Sequence, residues 1–469
     1  MFPGLTIAYW LTLHGLVTLL AVLIYVVTAH VLQQRRHPTA AIAWVLFILL
    51  LPYAALPAFL TFGSRKQARP RGQPLRLAPP APSDPEDERL WAVQTAIAMG
   101  QSAPADFDDL HVHANGRAAL QALWQVIAEA QHSIDLCTFI IGRDTVGHAL
   151  IARLCARARA GVRVRLMIDG LGRLMTPSPS LQPLIACGGV VTRFVPPLHS
   201  PLKGRSNLRD HRKMVIADAG QTTRRLWSGG RNLASEYFEG EPGTPAWHDL
   251  SFDLRGALVQ QAWALFEHDW AFANGGRFEA MQDDAPIAVQ PGHGAQLIAS
   301  GPDQFDDTLY ALLLTAAYRA RTRIAMTTPY FVPDTALLMA LCMAARRGVI
   351  VDLLLPARSN HLLSDLARRR ALCTLAAAGG RIWLAPQMLH AKLIVVDDAL
   401  ALAGSANLDS RSLFLNYEMM MAFHEPAVVD RFAEWFEAER ASAQRSLPKR
   451  PGLVGDVADG LVLWLGFQL

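Results

Sequence analysis

His211-Arg212-Lys213-Met214-Val215-Ile216-Ala217-Asp218 and His390-Ala391-Lys392-Leu393-Ile394-Val395-Val396-Asp397 spell one pattern, H-x-K-x4-D, twice in the same chain. Each is followed by a small-residue turn ending in Asn: Gly229-Gly230-Arg231-Asn232 and Gly404-Ser405-Ala406-Asn407. A lone His-x-Lys usually marks nothing more than an exposed strand. Two copies with matching downstream landmarks indicate a duplicated half-site. In a strand, residues two apart point to the same face. His211 therefore emerges with Lys213 and His390 with Lys392, while Met214, Ile216, Leu393 and Val395 build the strands around them. Asp218 and Asp397 close the two motifs at an odd offset, on the opposite face, which gives them a structural role bonding nearby backbone or Arg.

The chain around the motifs repeats as well. Ala118 to Ala130 and Gly147 to Ala160 read as helices, Ser133 to Ile141 and Gly161 to Asp169 as strands. The second half gives the same order with Leu309 to Arg321, Thr322 to Thr328, Thr335 to Arg347 and Gly348 to Leu355. A helix then runs into Gly188-Gly189 or Gly379-Gly380, and a strand and the motif follow. Strands alternating with helices predict an α/β fold: two similar domains with mixed sheets flanked by helices. The expected boundaries are a two-helix transmembrane anchor over 1–64, a Pro-rich linker over 65–90, and α/β domains over 91–290 and 291–469.

The anchor follows from the distribution of apolar residues, which make up 51% of the 469. No charged residue occurs from Met1 to Gln34, and Ile7 to Leu32 and Ala40 to Phe62 are nearly continuous apolar runs. Each exceeds the roughly 20 residues that span a bilayer core. A cleaved signal peptide fits poorly, because the run is too long, its start carries no Lys or Arg, and no A-x-A site follows. Arg35 and Arg36 lie between the runs; Arg65, Lys66, Arg69, Arg71 and Arg76 follow the second. Five basic residues against two predict that the body of the chain lies in the cytoplasm. The five scattered cysteines, Cys137, Cys155, Cys187, Cys342 and Cys373, lack C-x-x-C spacing and read as buried apolar residues. A net charge of +4 is too mild to imply nucleic acid as a partner.

The paired residues fit phosphodiester chemistry. A neutral imidazole can attack phosphorus and form a phosphohistidine while a second imidazole protonates the leaving alkoxide. Lys213 and Lys392 would clamp the non-bridging oxygens, with Asn232 and Asn407 as further donors. Ser405 is a candidate phosphate donor, with Gly230 in the matching place. No cofactor is implied and no metal site is expected: His111-x-His113 has no ligand set beside it. Arg157, Arg159, Arg163 and Arg165, and the run Arg368-Arg369-Arg370, read as solvated helix ends ahead of a headgroup patch. Asp169-Gly170-Leu171-Gly172 reads as a strand-end turn.

NLRDHRKMVIAD, GGRNLASEYF and WHDL in the first half, and YFVPD, LHAKLIVVDD and GSANLDSRSLFLNYE in the second, resemble the motifs of bacterial cardiolipin synthases of the phospholipase D superfamily. The N-terminal stretch RRHPTAAIAWVLFILLLPYAALPAFLTFG resembles their membrane anchor. The resemblance implies two phospholipase D-like domains facing each other across one active site. It implies transfer between two molecules of an anionic phospholipid, phosphatidylglycerol, giving cardiolipin and glycerol, with a hydrolytic phospholipase D as the alternative and a nuclease a more distant one. It also implies a multi-pass protein of the bacterial inner membrane with no stable protein partner. By the same resemblance the catalytic set is His211, Lys213, Asp218, His390, Lys392 and Asp397. His211 is favoured as nucleophile, with Asp249 orienting His211 and Glu418 orienting His390.

Overall fold

The computed structural model describes residues 3–31, 38–62, 90–172, 176–195, 208–241, 243–276, 294–304, 307–448 and 452. Residues 65–89 of the expected linker, the basic residues flanking the apolar runs, and the boundary at 290 lie outside them.

Two sheets carry the repeat. The first runs, edge to edge, through strands Asp108–Val112, Ser251–Arg255, Arg225–Gly229, Met214–Ala217, Ser133–Thr138, Arg163–Asp169 and Val190–Phe194. The second runs through Ala295–Ser300, Asn416–Phe423, Leu400–Gly404, Leu393–Val396, Arg323–Thr327, Ile350–Pro356 and Arg381–Ala385, with Gln444–Ser446 on the far edge. In both, the last three repeat strands pair in parallel and the others are antiparallel. Strand order and direction thus match strand for strand. The turns into equivalent parallel strands match too: Gly161 and Gly348 have φ of 88° and 92°, a conformation glycine adopts without steric cost.

Capping side chains and apolar stripes explain the helices. Gly116–Glu129 starts at Asn115, whose side chain accepts from Ala118 N, and Thr145–Arg159 starts at Asp144, which accepts from Gly147 N. Their buried faces, among them Leu123, Ile127, Leu150 and Leu154, cover the outer side of the first sheet. Thr308–Arg319, Thr335–Arg346 and Leu362–Ala377 cover the outer side of the second. Between the sheets, Leu258–Ala273 and Pro426–Ala441 fill a shared core in which Phe252 and Phe266 meet Phe423, Phe432 and Phe436. Truncating one such residue to Ala would cost about 3–5 kcal/mol. This shared core fixes the two sheets against each other, and with them the two motifs.

At the N-terminus, Pro3–Val31 is one helix, while the second apolar run forms two, Pro38–Leu50 and Pro52–Phe62. The break falls at Pro52, which has no N–H and crowds the preceding turn. The helices pack through Ala21, Tyr25, Ile48, Ala55 and Phe59, leaving Leu16, Leu19, Leu23 and Leu50 exposed. Among the described residues no helix is long and apolar enough to cross a membrane; in Pro3–Val31 the side chains are described continuously only over 12–27.

Candidate active site

Ladder pairing within each domain begins at Met214 and Leu393, so the His-x-Lys residues form the extended lead-in to their strands rather than part of them. The alternation expected of a strand still holds there. The lead-ins pair with the opposite domain. Arg209 and Asp210 lie parallel to Asn416 and Tyr417, and His211 N donates to Tyr417 O at 2.9 Å. Leu389 bridges His248 in the same sense, with His390 N donating to His248 O at 2.6 Å.

This pairing sets each histidine beside the other domain's carboxylate and corrects the pairing expected from sequence. His211 Nδ1 meets Glu418 at 3.0 Å, and His390 Nδ1 meets Asp249 Oδ2 at 2.7 Å. The carboxylates are the expected two, but they are exchanged between the histidines. Each H-x-K lead-in runs alongside the strand start of the partner domain, in a register that places His against the residue after Tyr417 or His248.

Ser405 also differs from expectation. Its hydroxyl donates to Glu418 Oε2 at 2.5 Å and accepts from Met419 N at 3.0 Å, so it orients Glu418 rather than reaching outward. Gly230, in the matching place, lies so close to Asp249 that a Cβ there would sit 2.2 Å from Oδ1. The shorter carboxylate and the missing side chain go together.

The site is buried and electrostatically strained. Burial opposes ionisation of Asp249 and Glu418, but the neighbouring histidine and lysines outweigh it and hold both carboxyls below their ordinary values. Burial lowers the pKa of His211, partly offset by Glu418. Burial and then Lys392 push His390 down to about 3. Burial lowers Lys213 to about 8 and Lys392 to about 7. Lys392 acts on His211 and Lys213 on His390, so the half-sites converge. Lys213 Nζ donates to His211 O at 2.5 Å, and Lys392 Nζ lies 2.8 Å from His390 Nδ1. Asn232 donates to Tyr237 Oη at 2.9 Å. The amide oxygens of Asn232 and Asn407 are buried without a protein partner among the described residues.

Asp218 and Asp397 stand away from this centre. The Asp218 carboxylate accepts from Gln131, His132 and Ser133 N, and Asp397 accepts from Arg321, Thr322 and Arg323 N. Both residues have positive φ, 51° and 50°. They tie the motif strand's turn to the start of the neighbouring strand, through backbone and not through Arg.

Several residues were not legible in the sequence. Phe139 packs edge-on to His211 at 5.2 Å; Tyr237 and Trp247 pack on His390 at 5.2 and 5.8 Å. Arg212, between the motif residues, is fully buried: it pairs with Asp269 and donates to Glu418 O at 3.1 Å and Ser300 O at 3.2 Å. Its counterpart is Ala391. Buried Arg231, beside Asn232, donates to Tyr237 O at 2.9 Å and Ser251 Oγ at 3.0 Å. Two arginine readings change: Arg165 pairs with Asp135 and Glu267, and Arg368 is buried against Pro356 O and Ala357 O, so neither is solvated. His113 pairs with Asp253, which also binds Arg225. Asp169 caps its own turn, accepting from Leu171 and Gly172 N. No disulfide joins the cysteines; Cys137, Cys155 and Cys342 are buried, Cys187 and Cys373 half-buried.

Comparison with known proteins bears on this geometry. The family model described as cardiolipin synthase, phospholipase D-like domain, matches twice, over residues 123–270 and 313–440. The chain belongs to the cardiolipin synthase family of the phospholipase D superfamily. A second family model, phospholipase D-nuclease N-terminal, matches residues 19–64. Cardiolipin synthase A of Klebsiella pneumoniae subsp. pneumoniae is 31% identical over 90% of this chain and 89% of the relative. The enzyme of the same name from Escherichia coli O1:K1 is 31% identical over the same shares. The crystal structure of phosphatidylserine synthase from Haemophilus influenzae Rd KW20 superposes with a TM-score of 0.61, covering 80% of this chain and 99% of that one. At 12% identity it shows the shared fold. Both copies of the domain model fall on the repeated sheets, so the fold and the enzyme class, a phosphatidyltransferase, stand together.

Proposed function

We propose that the protein is a cardiolipin synthase that transfers a phosphatidyl group from one phosphatidylglycerol to another, giving cardiolipin and glycerol through a phosphohistidine. The observation that carries the reading is the pair of crossed, buried His–carboxylate dyads, each with its own Lys. With Nδ1 of each ring held by a carboxylate, Nε2 is the nitrogen left for chemistry. His211 Nε2 attacks phosphorus and the bond to the headgroup glycerol oxygen breaks as His390 gives that oxygen a proton. A hydroxyl of the second phosphatidylglycerol then attacks phosphorus, its proton passes to His390, and the N–P bond breaks.

Substrate binding supplies the charge that an acid imidazole needs. A bound phosphodiester brings the negative charge that two buried lysines and two imidazoles lack, which raises the pKa of the acid imidazole towards its ordinary range. Lys213 and Lys392 stabilise the oxygens as charge grows on them. The buried amide oxygens of Asn232 and Asn407 lack a donor among the described residues, which a hydroxyl of the glycerol headgroup would supply and a phosphate oxygen would not. We assign Asp218 and Asp397 to folding, and Asp249 and Glu418 to orienting His390 and His211. The positive charge a metal would otherwise supply comes from the lysines, so activity survives EDTA; complete loss restored by one divalent ion contradicts this.

We also propose that the N-terminal region forms two membrane spans, with the expected domains at 91–290 and 291–469 in the cytoplasm. Exposed leucines on the packed helices and the five-to-two basic bias support this. A C-terminal reporter active only in the periplasm would overturn it. The function itself is tested by expressing the protein in cells lacking cardiolipin: it should restore the lipid, and His211→Ala should not.

A further inference from the structure

Strand Ile350–Pro356 ends in a short protruding segment, Ala357-Arg358-Ser359-Asn360-His361, before helix Leu362–Ala377 begins. The segment is held firmly. Arg368 donates to Pro356 O and Ala357 O, each at 3.0 Å, and pairs with Asp365. Asp365 in turn accepts from Ser359 N at 2.9 Å, and Ser359 Oγ accepts from His361 N at 3.1 Å. Yet the segment delivers its leucines to solvent: Leu362 is 72% exposed and Leu363 47%. Neither belongs to any apolar core. Arg358 is exposed beside them and makes no hydrogen bond or ion pair among the described residues.

This tip stands next to the site. Tyr330 Oη donates to Asn360 Oδ1 at 2.6 Å, and the Tyr330 ring packs on His361 at 5.1 Å. Tyr330 O accepts from Thr328 Oγ1, which accepts from the backbone of Leu408, the residue after Asn407. On its other side Tyr330 is near enough to Tyr237 to act on it electrostatically, and Tyr237 packs on His390. The tip therefore lies at the end of the second sheet nearest Asn407 and Tyr237, outside the carboxyl end of a parallel strand.

We propose that Arg358, Leu362 and Leu363 form a rim that docks on an anionic lipid bilayer and sets the site mouth at the level of the headgroups. The inference rests on the reading that the substrate is a phospholipid. Two exposed leucines suit the boundary between headgroups and acyl chains, and an unpaired guanidinium beside them suits lipid phosphate. The anchor alone confines the protein to the membrane but does not orient a site carried beyond a linker. A rigid rim orients it, shortening the distance that a lipid must rise from the bilayer.

The test uses the full chain in vesicles rich in phosphatidylglycerol and, separately, a short-chain phosphatidylglycerol below its micelle concentration. Total phosphatidyl consumed is scored, so transfer and hydrolysis count alike. L362S/L363S should lose about tenfold on vesicles and remain at parent level on the dispersed lipid, whereas L362F/L363F should keep parent activity on both. R358Q should need a higher anionic lipid fraction for the same rate. In proteoliposomes, Leu362→Trp should gain fluorescence that brominated acyl chains quench. That readout is independent of turnover, so failure of the functional reading remains distinguishable. Parent-level vesicle activity in L362S/L363S, equal loss on both substrates, or an unquenched tryptophan would overturn the rim.

Discussion

Glu418→Gln is the sharpest probe of the crossed dyads. The carboxylate is fully buried, 3.0 Å from His211 Nδ1, and is oriented by Ser405. Gln fills the same space and keeps one acceptor, but removes the charge that stabilises a positive imidazole. At a separation of about 4 Å between charge centres, an effective dielectric constant of about 20 makes that charge worth about 4 kcal/mol. This corresponds to about three decades in rate. The assay is stopped flow with a phosphatidyl ester of p-nitrophenol, a leaving group that needs no proton from the enzyme. With His211 as nucleophile and Glu418 as its carboxylate, E418Q abolishes the burst of nitrophenolate. D249N and H390A, which disable the acid, retain a burst and stall afterwards. A normal burst in E418Q together with its loss in D249N would refute the crossed pairing or the assignment of the nucleophile.

Three further outcomes follow from the same contacts. Lys213 and Lys392 act in their charged forms and titrate at about 8 and about 7; loss of their charge should make kcat/KM fall as pH rises through 7 to 8, and an unchanged rate at pH 9 would count against a double lysine clamp. Backbone N–H groups hold Asp218 ionised below the usual carboxylate range, so Asp218→Asn should cost about 1–3 kcal/mol of stability with kcat per folded molecule preserved. The stability that the carboxylate contributes is present above its unfolded pKa and lost as pH falls through the folded value, so parent and variant should converge in acid when followed by thermal unfolding. Arg212→Met leaves buried Asp269 without its guanidinium, facing His268 Nδ1 at 3.4 Å, at a cost of about 3 kcal/mol; the double variant with Asp269→Leu should recover much of it in the same melt, whereas no recovery would deny the pair.

Repetition made the fold legible. His211 and His390, the Gly-Gly turns and the alternating helices and strands recur in one order, and local pattern suffices to place the elements within a domain. The shared face of His and Lys, and the opposite face of Asp218 and Asp397, follow from alternation alone. What sequence could not show lies between the domains. Nothing in Asn416-Tyr417-Glu418 or Trp247-His248-Asp249 says which histidine it will meet, because that depends on how one lead-in strand pairs with the other domain's sheet. The Ser405 hydroxyl was ambiguous for a similar reason: a small donor near a site can face substrate or carboxylate, and only the 2.5 Å contact decides. Arg212 sits at the variable place of the motif, where Ala391 serves in the other copy. A signal was available in that mismatch, since a charged residue between two inward-facing ones on a buried strand must find a partner.

Whether the intermediate is resolved by a lipid hydroxyl or by water tests the account most directly. Purified protein is given phosphatidylglycerol alone, and cardiolipin, glycerol and phosphatidic acid are measured together. The account predicts cardiolipin and glycerol in equal amounts, with cardiolipin yield suppressed by added glycerol, which attacks the same phosphohistidine. Phosphatidic acid dominating at every lipid density would contradict it and make the protein a hydrolase.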